Sequence, residues 1–323
     1  MTGNKHEVML IGPLKPVVTK GLEAGCEVHK LAEARDQDAF ITAHSNVRAI
    51  ACSDTACKIP GSLMARFPAL EIVASFGVGY DHMDVKWAAA HNVVLTNTPN
   101  VLTEEVADTA LGLLLVTVRE FYPAEKWLRD GRWARDGEYP LTASLRDRTV
   151  GIAGFGRIGK AIARRIEAFG LPVSYFARAP QPGVNNRYYG DLIAMARDVD
   201  TLIAAIPGGP ATDRLIDAAV FDALGPHGIF INMARGSVVD EPALIAALRT
   251  KRILRAGLDV FLNEPAIDPA FLTLDNVTLF PHLGSASVAT RNKMGALVVD
   301  NLAAFAAGRP PKTPVPETPF TGW

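Results

Sequence analysis

Short apolar runs alternate with helical patterns along almost the whole chain, the arrangement of a parallel α/β architecture. In the first third, Val8–Ile11, Val47–Ala51, Ile72–Ser75 and Val93–Thr96 are predicted strands, with helices between them. Val101–Phe121 is long, apolar on several faces and free of internal proline, which predicts a buried connecting helix. From Tyr122 to Arg148 the chain turns polar and charged, and carries Trp127, Trp133 and Tyr139.

A second series begins at Thr149, with strands expected at Val150–Ala153, Val173–Phe176, Leu202–Ile206, Ile229–Asn232, Ala256–Leu258 and Val277–Phe280. One helix should open at Asp240, with Pro242 in its first turn. A last helix is predicted over Val288–Gly308, followed by an extended proline-rich tail. The turn Asn97-Thr98-Pro99-Asn100 before the long helix marks a domain boundary near Pro99.

A chain of 323 residues is long enough for two such domains. Its net charge of −1 offers no electrostatic footprint for nucleic acid or an anionic membrane. The most apolar stretch, Ala110–Val118, is roughly half the ~20 residues a bilayer span needs. No positively charged, apolar leader precedes Val8–Gly12. Cys26, Cys52 and Cys57 cannot all pair within one chain and lack metal-ligand spacing, so reduced thiols, a cytoplasmic location and no metal are expected.

Gly154, Gly156 and Gly159 form a G-x-G-x-x-G directly after a predicted strand, and an amphipathic helix, Lys160–Phe169, follows. The spacing has a physical reason. Gly154 permits a tight turn, Gly156 lets a pyrophosphate approach the backbone, and Gly159 lets helix and strand pack closely. The helix N-terminus then offers unpaired N–H groups and partial positive charge to the phosphates. At the end of the next strand, NAD enzymes usually carry an acid for the ribose 2′-hydroxyl. Here the segment is Tyr175-Phe176-Ala177-Arg178, with no carboxylate. Arg178 can meet a 2′-phosphate, so NADPH is favoured over NADH, with use of both cofactors as the alternative.

Three motifs end later strands: Ile231-Asn232-Met233-Ala234-Arg235-Gly236, Leu258-Asp259-Val260-Phe261-Leu262-Asn263-Glu264-Pro265 and Phe280-Pro281-His282-Leu283-Gly284-Ser285. Ligands of doubly wound sheets sit outside the carboxyl ends of strands, where these motifs fall. Arg235 can hold a carboxylate in its planar fork and polarise an adjacent ketone. His282 suits proton donation to the carbonyl oxygen as hydride arrives at carbon. A carboxylate beside an imidazole stabilises the imidazolium, so Glu264 would keep His282 protonated near neutral pH. Ser285, closing the third motif, is a further substrate-binding candidate.

With these motifs, Ser75-Phe76-Gly77-Val78-Gly79-Tyr80-Asp81, Asn97-Thr98-Pro99-Asn100-Val101-Leu102-Thr103 and Val106-Ala107-Asp108, the chain resembles the D-isomer-specific 2-hydroxyacid dehydrogenase family over essentially its whole length. Within that family it is most similar to the NADPH-linked glyoxylate/hydroxypyruvate and hydroxyphenylpyruvate reductases. The resemblance implies two doubly wound parallel-sheet domains. A flavodoxin-like substrate domain would comprise residues 1–98 and 288–323, and a Rossmann cofactor domain residues 99–287. It also implies a homodimer and an active site in the cleft between domains.

By motif, Arg235, Glu264 and His282 match the family's catalytic residues. Val78 and Gly79 match its substrate-binding loop. Arg157 and Ile158 flank the pyrophosphate, while Pro207, Thr212, Met233, Asp259 and Gly284 match other cofactor-lining positions. NADPH-linked members often carry hydroxyls on both sides of the discriminating arginine, where this chain has Ala177 and Ala179. The stretch Trp133–Tyr139, which in similar reductases reaches a neighbouring subunit's active site, has no residue-by-residue match.

Small to medium 2-oxo acids such as glyoxylate and hydroxypyruvate are the expected substrates, from Val78 and the Thr55–Ser62 loop; larger ones such as hydroxyphenylpyruvate and 2-oxogluconate are the alternative. Formate dehydrogenases of this group carry glutamine at the position of Glu264, which argues against that chemistry. Corepressors on this fold carry long tails outside the dehydrogenase core, and this chain is expected to end with the core.

Overall fold

The computed structural model describes residues 6–53 and 57–323. The first elements are β1 (His6–Ile11), α1 (Pro16–Glu23), β2 (Cys26–Lys30), α2 (Gln37–Ala43), β3 (Ala49–Ser53), α3 (Gly61–Met64), β4 (Ile72–Phe76), α4 (Val85–Ala90) and β5 (Val94–Thr96). Three helices follow without a strand, α5 (Thr103–Val118), α6 (Phe121–Arg129) and α7 (Arg132–Asp136). Then come β6 (Val150–Ala153), α8 (Arg157–Ala168), β7 (Val173–Phe176), β8 (Arg187–Tyr189), α9 (Leu192–Asp198), β9 (Thr201–Ala204), α10 (Ala218–Leu224) and β10 (Ile229–Asn232). The chain continues through α11 (Glu241–Arg249), β11 (Arg255–Leu258), β12 (Val277–Leu279) and α12 (Val288–Ala306).

These elements form two compact units, Met1–Leu102 with Ser287–Trp323, and Thr103–Ala286. In the first, five parallel strands run in the order β2-β1-β3-β4-β5, the flavodoxin-like arrangement. β3 and β4 are buried along their whole length, as expected of strands covered on both faces. α12 returns to this unit and packs against α1 at two glycines. A Cβ on Gly21 would stand 2.7 Å from Val299, and one on Gly295 would stand 2.3 Å from Val17. The proline-rich tail then bridges to β5: Val315 N–H donates to Leu95 O at 2.8 Å, and Pro314 pairs antiparallel with Thr96. Those bonds satisfy backbone groups that an edge strand would leave open.

The second unit holds seven parallel strands in the order β12-β11-β10-β9-β6-β7-β8. The order reverses between β6 and β9, and such a switch point is where a doubly wound sheet opens a crevice for a dinucleotide. α11 begins as expected, with Asp240 accepting from Ala243 N–H at 3.1 Å. Apolar α5 is buried against the sheet, where a Cβ on Gly257 of β11 would meet Thr117 and Leu113 within 2.9 Å. Among the described residues no helix is long and apolar enough to cross a membrane.

One expectation needs correction. The long helix predicted over Val101–Phe121 ends at Val118, because Glu120 adopts a left-handed φ of 53° and a new helix starts at Phe121. The polar stretch after it, for which the sequence predicted no element, contains α6 and α7.

Candidate active site

The glycine loop after β6 has the geometry of a phosphate cradle. Gly154 sits at φ 96°, and a Cβ there would lie 2.6 Å from Ala205 O. A Cβ on Gly159 would lie 2.1 Å from Gly154 O, so helix and strand close only over glycine. Gly156, the N-cap of α8, differs: a Cβ would meet nothing within 4 Å. That open space lies in front of a helix N-terminus whose cap has no side chain to satisfy the first-turn N–H groups. The residues therefore fit a pyrophosphate. Arg157 is exposed and Ile158 half-buried on the first turn.

Beyond β7, Arg178 stands exposed. A residue that sequence reasoning passed over ties its loop to the cradle. The Gln181 side chain donates to Phe155 O at 2.8 Å, and Gln181 N–H donates to the Tyr175 hydroxyl at 2.9 Å. The Phe155 and Tyr175 rings stack at 4.4 Å, closing the link.

Three strand ends deliver the other candidates. Arg235 follows β10 in a turn shaped by Asn232, whose carboxamide accepts from Ala234 N–H at 3.0 Å and donates to Arg235 O at 3.3 Å. Gly236 presses this turn onto the loop after β11, since a Cβ there would fall 1.9 Å from the carbonyl carbon of Phe261. Arg235 is half-buried, and its charge acts on Glu264 in that neighbouring loop.

Glu264 Oε2 and His282 Nδ1 are 2.7 Å apart, and each side chain is 23% exposed. A carboxylate only accepts, so Nδ1 carries the proton of this bond and Nε2 is left for other chemistry. Glu264 Oε1 accepts from Phe261 N–H at 2.9 Å. Burial pushes the Glu264 carboxyl up, but the hydrogen bond and charge of His282, the Phe261 N–H and Arg235 outweigh it. The carboxyl is held below its ordinary range.

His282 has a left-handed φ of 53°, an uncommon conformation for a non-glycine residue, and Asp259 fixes it. Asp259 O accepts from His282 N–H at 2.9 Å, while its carboxylate accepts from Leu283 N–H at 2.6 Å and Gly284 N–H at 2.8 Å. Burial, to 2% exposure, raises the Asp259 carboxyl above its ordinary value despite these two donors. Asp259 thus clamps the turn that presents His282. Glu241 supports the same loop by accepting from Leu262 N–H at 2.7 Å, and burial raises its carboxyl too.

Of the remaining candidates, Met233, Asp259 and Gly284 come together: a Cβ on Gly284 would lie 3.0 Å from Asp259 and 3.5 Å from Met233. Pro207 is exposed after β9, and Thr212 donates to its carbonyl at 2.7 Å. Ser285 is buried. In the first unit, Val78 and Gly79 follow β4 and are half-buried, and Asn97 donates to Val78 O at 2.8 Å. Thr55, at the start of the loop expected to line a pocket, lies outside the described residues.

Residues 111–284 match the family described as D-isomer specific 2-hydroxyacid dehydrogenase, NAD binding domain. A hydroxyphenylpyruvate reductase from Plectranthus scutellarioides is 40% identical over 309 residues, covering 95% of this chain and 98% of its own. A 2-ketogluconate reductase from Gluconobacter oxydans is 41% identical over 312 residues, 97% and 99% of the two chains. Among solved structures, an NADPH-dependent glyoxylate/hydroxypyruvate reductase from Sinorhizobium meliloti, in complex with NADP and malonate, is 50% identical. It superposes with a TM-score of 0.91 and covers 98% of each chain.

Proposed function

The chain belongs to the D-isomer specific 2-hydroxyacid dehydrogenase family, and on that premise we propose that it is an NADPH-dependent reductase of small 2-oxo acids such as glyoxylate and hydroxypyruvate. The 2.7 Å Glu264–His282 pair, in the same unit as Arg235 and the glycine cradle, carries this reading. Gly154, Gly156 and Gly159 would hold the cofactor's pyrophosphate, with Arg157 and Ile158 beside it and Pro207, Thr212, Met233, Asp259 and Gly284 lining its path. Bound there, a reduced nicotinamide supplies hydride.

The chain's own residues do the rest. Arg235 grips the substrate carboxylate and polarises the ketone. His282 gives its Nε2 proton to the carbonyl oxygen as charge develops there. Glu264 keeps the ring oriented and stabilises its cationic form. Val78, Gly79 and Ser285 are assigned to substrate binding.

Oxidation of NADPH against a panel of glyoxylate, hydroxypyruvate, pyruvate, hydroxyphenylpyruvate and 2-oxogluconate tests the proposal. Turnover of none of them would overturn it. Larger substrates are the second reading, favoured by the hydroxyphenylpyruvate and 2-ketogluconate reductases among the relatives.

Arg178 is proposed to bind the 2′-phosphate. Arg178→Ala should therefore weaken NADPH binding by about tenfold or more and leave NADH binding nearly unchanged, on the scale of one charge-assisted hydrogen bond. Fluorescence titration with each cofactor measures this, and equal losses would refute the assignment.

The pH dependence follows from Glu264. Its depressed carboxyl stays ionised to below the ordinary carboxylate range, so the anion facing Nδ1 is present throughout the neutral region. The carboxylate's contribution to stability is present above its ordinary range and is lost as pH falls through that depressed value. Reduction needs the protonated imidazole. Glu264→Gln removes the anion that favours it, and the basic limb of kcat/KM should move to lower pH. An unmoved limb would remove Glu264 from this role.

We also propose a cytoplasmic homodimer. Its interface is supported by the apolar side chains presented by α6, α7 and the segment after them, among them Phe121, Tyr122 and Leu128, with Trp133 62% and Leu141 100% exposed. Sedimentation as a monomer, or fractionation with membranes, would count against it.

A further inference from the structure

One cluster outside the catalytic group joins three side chains that lie far apart in sequence. Glu7 comes from β1, His29 from β2, and His44 is the C-cap of α2. Glu7 Oε2 and His29 Nε2 are 3.0 Å apart. The His29 and His44 rings pack at a tilt, 3.9 Å between centroids and 31° between planes. One ligand atom from each of the three lies within 4.8 Å of the other two. Phe40, one turn earlier on α2, packs on His44 at 4.6 Å and on the edge of His29 at 6.4 Å, forming an apolar back wall. The His29 side chain is only 10% exposed, whereas that of Glu7 is 49% exposed and leaves the cluster open to solvent.

The charges around it favour a cation. An imidazole in its neutral form offers one lone pair to a cation, and the Glu7 carboxylate offers more. Glu27 pairs with Glu7 in the β1–β2 register and alternates onto the face of His29, adding a second carboxylate nearby. Lys30 points elsewhere and is engaged by Glu23 at 3.0 Å and Glu33 at 3.8 Å. Donor atoms around a tetrahedral zinc ion sit roughly 3.3 Å apart. The Glu7–His29 separation already meets that spacing, and a ligand atom of His44 lies within 4.8 Å of both.

We propose that Glu7, His29 and His44 bind one divalent transition-metal ion of the Zn²⁺ or Ni²⁺ class, with water completing the coordination. Two imidazoles and a carboxylate suit these ions, and not Mg²⁺ or Ca²⁺, which take oxygen ligands. The ion ties the edge strand β2 to β1 and to the end of α2, so it stabilises the first unit by linkage. The ligands are neutral imidazoles and a carboxylate, so binding weakens as pH falls and protons compete for His29, His44 and Glu7.

The test uses the full-length, tag-free chain stripped with a chelator, then titrated calorimetrically with ZnCl₂ or NiCl₂ and spectroscopically with CoCl₂. We expect one ion per chain, intense Co²⁺ ligand-field bands and a higher Tm with metal. His29→Ala and His44→Asn should each weaken binding at least tenfold and abolish the bands and the Tm gain. Asparagine is a tolerated helix-end residue, so His44→Asn keeps the test open should His29→Ala misfold. His91→Ala, on α4's C-cap, should change nothing. Undiminished affinity in His44→Asn, or no ion bound by the wild type at 1:1 metal, overturns the proposal.

Discussion

Replacing His282 with alanine is expected to lower kcat for 2-oxo acid reduction by at least ~10²-fold, the usual scale for losing a general acid. Glu264 occupies Nδ1 at 2.7 Å, which leaves Nε2 as the nitrogen that can face a substrate. The loss should appear in kcat more than in KM, because the proton moves only as charge builds on the carbonyl oxygen. Alanine adds a complication, since residue 282 sits at a left-handed φ of 53°. His282→Asn meets it, because asparagine tolerates that conformation and still cannot act as an acid. Both variants should bind NADPH as the wild type does. Turnover of the asparagine variant within a few-fold of wild type would show that the proton comes from another group.

The central strands were legible because burial on both faces forces short, nearly continuous apolar runs. Val150–Ala153, Val173–Phe176 and Ile229–Asn232 occupy the residues their apolar runs predict. Two of the four outer strands, β2 and β8, escaped, since edge positions admit sequences such as Cys26-Glu27-Val28-His29-Lys30 and Arg187-Tyr188-Tyr189 with little apolar signal. α6 and α7 were hidden for a related reason: neither buries a residue within the chain, so no inward stripe marks them.

The same contrast holds at the site. Residue types in the three strand-end motifs pointed to Arg235, Glu264 and His282, and the structure pairs the last two. What fixes their geometry left no local pattern. Asp259 acts on backbone N–H groups 24 and 25 residues later, Glu241 on one 21 residues later, and Gln181 on a carbonyl 26 residues earlier. Only the folded register of neighbouring strand ends brings such partners together. Glu7, His29 and His44 are invisible to spacing arguments for the same reason.

Arg235→Lys should reduce kcat/KM by about 10–10²-fold, shared between a higher KM and a lower kcat. The turn holding Arg235 is fixed on one side by Asn232 and on the other by the contact of Gly236 with Phe261, so the guanidinium enters the site from a rigid base. Lysine keeps the charge but loses the planar two-pronged donor, and one charged hydrogen bond lost costs about 1.5–3 kcal/mol. Part of that cost falls on the ground state, where the substrate carboxylate is held. The rest falls on the transition state, where the polarised oxygen gains charge. NADPH affinity, measured separately by fluorescence quenching, should change little, which separates a damaged substrate grip from a damaged fold. Wild-type turnover in the lysine variant would make Arg235 a structural residue. If the wild type itself binds NADPH yet reduces no 2-oxo acid on the panel, a dinucleotide-sensing regulatory protein becomes the better description of this chain.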